Sequence, residues 1–162
     1  MVSTIGYERA SLADFIATLK ISNIDVLVDI RDRAQSRRQG FSKTALSEAL
    51  KAEGIDYLHL RELGDPKEGR DAARKGDYTR FRSIFGEVME KDEAKRAIRQ
   101  IEELSIDCEP CLMCFERDQS FCHRKIVADH LESTLKIKVR HLGVREGAAA
   151  RRMYGSDQSA AA

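Results

Sequence analysis

No stretch of this chain approaches the run of about 18 apolar residues that a membrane span requires. No basic leader precedes an apolar segment at Met1-Val2-Ser3-Thr4-Ile5. Both absences lead to the expectation of a cytoplasmic protein with no membrane partner. Proline is scarce, with two residues in 162, and glycine contributes ten, too few for a low-complexity or disordered chain. An excess of one charge is also missing: 28 lysines and arginines face 27 aspartates and glutamates, for a net charge of +1. The overall field therefore does not mark a nucleic-acid binder, and such a function has to rest on local clusters. Nor is there a cysteine framework. All four cysteines fall between Cys108 and Cys122, which cannot staple a whole chain and suits a reducing compartment. What is present, 42% hydrophobic and 34% charged residues, is the profile of one domain able to bury a core.

Val2-Ser3-Thr4-Ile5 is a β-prone run ended by Gly6-Tyr7. Ser11 opens a capping box with Asp14, and Leu12, Phe15, Ile16 and Leu19 form one stripe of an amphipathic helix. The apolar run Val26-Leu27-Val28, bounded by Asp25 and Asp29-Ile30, reads as a strand covered on both faces, with Arg31 at its C-terminal end. Ser42 caps the next helix, which carries Leu46 and Leu50 and stops at Gly54. Ile55-Asp56-Tyr57-Leu58-His59-Leu60 alternates as a third strand. Glu62 to Pro66 is turn chemistry, and the charged run from Lys67 to Asp77 reads as an exposed excursion with some helix. Helical stripes resume at Phe81, Ile84, Phe85 and Val88, and again from Asp92 to Leu104. Pro110 excludes helix directly before Cys111-Leu112-Met113-Cys114-Phe115, a fourth buried strand. A helix to about Leu135 and an alternating strand, residues 137–142, complete one α/β domain over residues 1–143, and residues 144–162 are expected to form a flexible C-terminal tail.

Strands alternating with helices predict a mostly parallel sheet of about five strands with helices on both faces. Such sheets bind ligands outside the C-terminal ends of their strands. Tyr7, Asp29, Arg31 and Glu116 stand there, and the helix opening with Cys122-His123-Arg124 joins them. A thiol, an imidazole and a guanidinium sit where free backbone N–H groups and the positive end of the helix dipole favour an anion. The loop from Arg31 to Lys43 adds Arg33, Arg37, Arg38 and Lys43, with Phe41 available to stack. Arg31, straight after a buried strand, needs a partner: Asp29, Glu116 or a ligand anion. Strand order does not follow from spacing.

The spacing Cys108, Cys111, Cys114 invites a zinc or iron–sulfur reading. In an extended segment, however, Cys111 and Cys114 point to opposite faces, so buried thiols are expected and no metal. Cys122 beside Arg124 is either an activated nucleophile or a capping and packing residue. His123, in the first helical turn, is equally suited to ligand contact and to structure.

Thr4-Ile5-Gly6-Tyr7, Val28-Asp29-Ile30-Arg31 with Ser36-Arg37 and Phe41-Ser42-Lys43, Leu63-Gly64, Met113-Cys114-Phe115-Glu116 and Cys122-His123-Arg124 together resemble the domain of unknown function 488 family, small and largely uncharacterised prokaryotic proteins. The resemblance implies a Rossmann-like α/β fold and a shared pocket, without an activity. Where members commonly carry prolines, this chain has Ala34 and Gln39, which loosens the loop holding Arg37.

The resulting expectation is an anion-binding crevice, in an enzyme acting on a phosphate-bearing substrate, either a nucleotide or nucleic acid. Tyr7, Arg31, Arg37, Lys43 and Arg124 would bind the substrate, while Glu116 or Asp29 moves protons and His123 or Cys122 assists. The alternative is a non-catalytic nucleotide- or nucleic-acid-binding or regulatory module. A weaker alternative is thiol chemistry of the rhodanese sort, suggested by Val28-Asp29-Ile30-Arg31. The sequence names no cofactor and no oligomeric state.

Overall fold

The computed structural model describes residues 1–151. Its five strands are β1 (Val2–Gly6), β2 (Val26–Asp29), β3 (Asp56–His59), β4 (Pro110–Cys114) and β5 (Val139–Leu142). They form one wholly parallel sheet in the order β3-β2-β4-β1-β5. Helices α1 (Leu12–Ile21) and α2 (Lys43–Ala52) cover one face. Helices α3 (Lys67–Arg74), α4 (Tyr78–Glu90), α5 (Asp92–Asp107) and α6 (His123–Ser133) cover the other. This is a Rossmann-like α/β fold, and no described helix is long and apolar enough to cross a membrane.

Side-chain alternation divides the core in two. Leu27 packs with Ile5, Phe15, Leu19, Leu46 and Leu50 under α1 and α2. Its neighbours Val26, Val28 and Ile30 pack with Phe85, Ile98, Ile101 and Val127 on the opposite face. The same alternation sends Cys111 and Met113 to the first cluster and Leu112 and Cys114 to the second. Continuous apolar strands are thus explained by two covered faces.

Topology places the site. From β1 through β2 to β3 the chain steps outward in one direction, and from β3 through β4 to β5 it returns and passes to the far edge. Right-handed crossovers therefore put the first two helices on one face and the later ones on the other. The loops leaving the neighbouring strands β2 and β4 diverge, which opens a crevice at their C-terminal ends.

Three local expectations change. Ser11 accepts a hydrogen bond from Asp14 N as predicted, but Ser42 does not cap α2, because its hydroxyl bonds Ser36 instead. Phe41 is no exposed stacking residue: the basic loop folds it inward, where its ring stacks on Tyr7 at 4.6 Å. The segment after Val144, read as tail, is held against α1 as far as Ala149. Asp14 accepts from Gly147 N (3.0 Å) and Ala149 N (3.1 Å), Thr18 Oγ1 accepts from Arg145 N (3.0 Å), and Ala148 is buried. Those backbone bonds hold the Asp14 carboxyl below its ordinary range. Residues 152–162 lie outside the described residues.

Candidate functional site

A cleft of about 720 Å³ occupies the crevice between the loops after β2 and β4, roofed by α3, α4 and the start of α6. Its inner wall is an ion pair buried at the end of β2. Arg31 Nε donates to Asp29 Oδ1 (2.9 Å) and Nη2 to Oδ2 (2.7 Å), and Nη1 donates to Phe41 O (2.8 Å) and Tyr7 Oη (3.2 Å). Asp29, fully buried, also accepts from Tyr57 Oη at 2.5 Å and from Arg31 N. Burial opposes the Arg31 charge, but the bonds and charge of Asp29 outweigh it and raise the guanidinium above its ordinary value. Burial, with Asp29 adding to it, likewise holds the Tyr57 hydroxyl protonated. The Tyr7 ring lies between Phe41 and the edge of Phe115, whose own ring is 44% exposed.

The opposite wall is built on Arg124, which is wholly buried. Its guanidinium donates to Thr4 Oγ1 (3.3 Å), Cys114 Sγ (3.3 Å), Glu116 O and Arg117 O (3.0 Å). This clamp explains Gly6: a Cβ there would lie 1.8 Å from Glu116 O, a backbone atom that cannot yield. Burial lowers Arg124 to about 10, with Glu116 opposing, so it stays charged at neutral pH. His123 Nε2 lies 2.8 Å from Ile30 O. A carbonyl only accepts, so Nε2 carries the proton and Nδ1 turns a lone pair toward Cys122 Sγ, 3.7 Å away. Burial pushes His123 down to about 4, partly offset by the Ile30 bond, and the ring is neutral. Cys114 and Cys122 are joined as a disulfide, with Cα atoms 7.5 Å apart. Glu116 Oε2 lies 3.6 Å from Cys114 Sγ, and burial raises its carboxyl, with a backbone bond and Arg124 opposing.

Six of the nine residues expected at a site line the cleft: Tyr7, Arg31, Arg37, Glu116, Cys122 and His123. Asp29 and Arg124 stand behind it with their polar atoms engaged, and so hold the walls. Lys43 faces a shallower neighbouring groove with His59 and Arg61.

Sequence reasoning missed the third side of the cleft. Helix α3, read as an exposed excursion, brings Arg70 and Arg74 to the opening and seals Asp65 beneath it. Arg70 Nη1 reaches Asp32 Oδ2 (3.2 Å) and Asp65 O (2.6 Å). Asp65 is 4% exposed, and its Oδ1 has no partner among the described residues. Gly69 makes the seal possible, since a Cβ would stand 1.9 Å from that oxygen. Burial, opposed by Arg70, pushes the Asp65 carboxyl up to about 7. The available signal was Asp65-Pro66 followed by a glycine inside a helix, which turn chemistry alone explained too easily.

Asp65 yields a pH prediction. The folded protein keeps its proton up to about 7, whereas the unfolded chain releases it near 3.8. Its contribution to stability is therefore full below the unfolded value, falls as pH rises toward 7, and is level above. Asp65→Asn is expected to remove that fall, leaving the variant more stable than the parent at pH 8 by up to about 4 kcal/mol and equal to it in acid. Urea midpoints across this range check it, and parallel curves would refute it.

A family model, "Domain of unknown function DUF488", matches residues 11–131. No curated protein and no solved structure shows significant similarity to the chain.

Proposed function

Starting from a chain that belongs to the DUF488 family, whose description carries no reaction, we propose that the cleft binds a phosphate-bearing ligand with an aromatic base, a nucleotide or a segment of nucleic acid, and acts on it as an enzyme. The observation that carries this reading is the composition of the opening. Arg33, Arg37, Arg70 and Arg74 converge on it with two exposed aromatic rings, Phe115 at 44% and Phe121 at 49% exposure. Arg33 and Arg37 have no side-chain partner among the described residues. Free guanidiniums suit phosphate oxygens, and exposed rings suit base stacking. Arg31 and Arg124, with most of their donors engaged inside the protein, serve as frame and leave phosphate contact to these outer arginines.

Glu116 and Asp65 are the proton-carrying candidates, because each lines the cleft and burial favours its protonated form. Binding without turnover is the second reading, favoured by the internal saturation of Asp29, Arg31 and Arg124.

Anisotropy of a labelled single-stranded oligonucleotide tests the binding. Affinity is expected to fall steeply with salt, and Phe121→Ala to cost about 1–3 kcal/mol through lost stacking. Absent or salt-independent binding overturns the proposal. Mass analysis of the recovered ligand separates the two readings: chemical change that stops in Glu116→Gln supports the enzyme, and an unchanged ligand supports the binding module.

A further inference from the structure

Three electron-pair donors converge where β4 ends and α6 begins, and none is needed for phosphate contact. Cys114 Sγ, Cys122 Sγ and His123 Nδ1 all lie within 4.8 Å of one another, and all three residues are buried. Each donor atom is oriented by a separate group. Cys114 Sγ accepts from Arg124 Nη1 at 3.3 Å. Cys122 Sγ accepts from the backbone N–H of Arg124 at 3.5 Å, in the first turn of α6. His123 gives its Nε2 proton to Ile30 O, which fixes Nδ1 as the free lone pair. Anchoring a histidine through its outer nitrogen is how proteins aim a metal ligand.

Charge points the same way. No carboxylate lies within ion-pair distance of Arg124 among the described residues, and its contacts are a hydroxyl, a cysteine sulfur and two carbonyls. Glu116 and Asp118 act on this buried guanidinium only from beyond ion-pair distance. A metal-bound sulfur at Cys114 would place negative charge in direct contact with Arg124 Nη1. Cys111 offers the contrast. It lies on the other face of the sheet, where burial raises its thiol and outweighs the charges of Arg124 and Arg140.

We propose that, when both thiols are reduced, Cys114, Cys122 and His123 bind one zinc-class divalent cation. Two thiolates and one imidazole are a donor set zinc prefers, and three protein ligands leave a fourth position. All three residues line the cleft, so that position opens toward it beside Glu116. A cation there would polarise an oxygen of a bound ligand. The site does not depend on the phosphate reading, and metal binding can be measured without any nucleotide.

The full chain, reduced and stripped with a chelator, is titrated first with cobalt(II) and then with zinc(II). One equivalent of cobalt should bind with a thiolate-to-metal charge-transfer band, and zinc should displace it. Bound zinc should shield two thiols from alkylation, and peptide mapping should assign them to Cys114 and Cys122. Cys122→Ser and His123→Ala should lose the charge-transfer signal, and Cys108→Ser should retain it. Should the Cys122 variant fail to fold, the alkylation map of the parent still decides. Failure of the reduced protein to retain either ion, shielding that maps to Cys108 or Cys111, or an unaltered signal in folded Cys122→Ser overturns the proposal. Loss of oligonucleotide binding with the metal site intact counts against the phosphate reading alone.

Discussion

Arg31→Met is expected to cost about 3–5 kcal/mol of folding stability, because it leaves the Asp29 carboxylate buried without its partner. Asp29 has no route to solvent, and in the variant the Tyr57 hydroxyl and one backbone N–H are its remaining donors. The loss belongs to the orphaned charge rather than to the missing contact. The double variant Arg31→Met/Asp29→Asn should therefore recover most of it, since asparagine removes the charge, keeps one oxygen for the backbone N–H of residue 31 and turns its NH2 to donate to the Tyr57 hydroxyl oxygen. Urea unfolding of the two variants and of Asp29→Asn alone closes the cycle. A double variant no better than Arg31→Met would mean that packing around Tyr7 and Phe41, not electrostatics, holds this wall.

The second large effect is expected in binding and not in folding. Arg33, Arg37 and Arg74 are exposed, and the closest ion pair among them is the exposed contact of Arg74 with Asp71 at 3.6 Å, a kind worth little. Replacing all three by alanine should leave the unfolding midpoint nearly unchanged. For a single-stranded ligand it should make the slope of log affinity against log salt shallower by about 2. Between 50 and 200 mM salt the parent would then lose roughly 20-fold more affinity than the variant. An unchanged slope would place the phosphates elsewhere, and the shallower groove with Lys43 and Arg61 would be the next surface to vary.

What the sequence made legible was periodicity. Five apolar or alternating runs became five strands, and the alternation through Cys111-Leu112-Met113-Cys114 divided the thiols between two faces. Less legible was anything set by contact across the chain. Strand order stayed hidden because parallel crossovers of similar length can insert a strand at several places. Arg31 showed that it needed a partner, yet only the folded end of β2 selects Asp29 over Glu116. Phe41 sits among basic residues that suggest solvent, and its burial follows from the loop folding back beneath Tyr7. Asp65 resembled any turn aspartate until α3 closed over it. Cys114 and Cys122 lie eight residues apart, a spacing matching no familiar ligand pattern, and a polar crossing brings them together.

The position of β4 bears on how the molecule forms. Strands β1 and β2 do not hydrogen-bond to each other; β4 lies between them and pairs with both. A growing chain that has reached α5 therefore holds β2–β3 on one side and β1 alone on the other, and its sheet is not continuous until residues 110–114 insert. Loop closure over roughly that length must precede the contacts that reward it, which favours slow folding through a late docking step. Both walls of the cleft await the same insertion, so ligand-binding competence should appear with the last central strand and not before it.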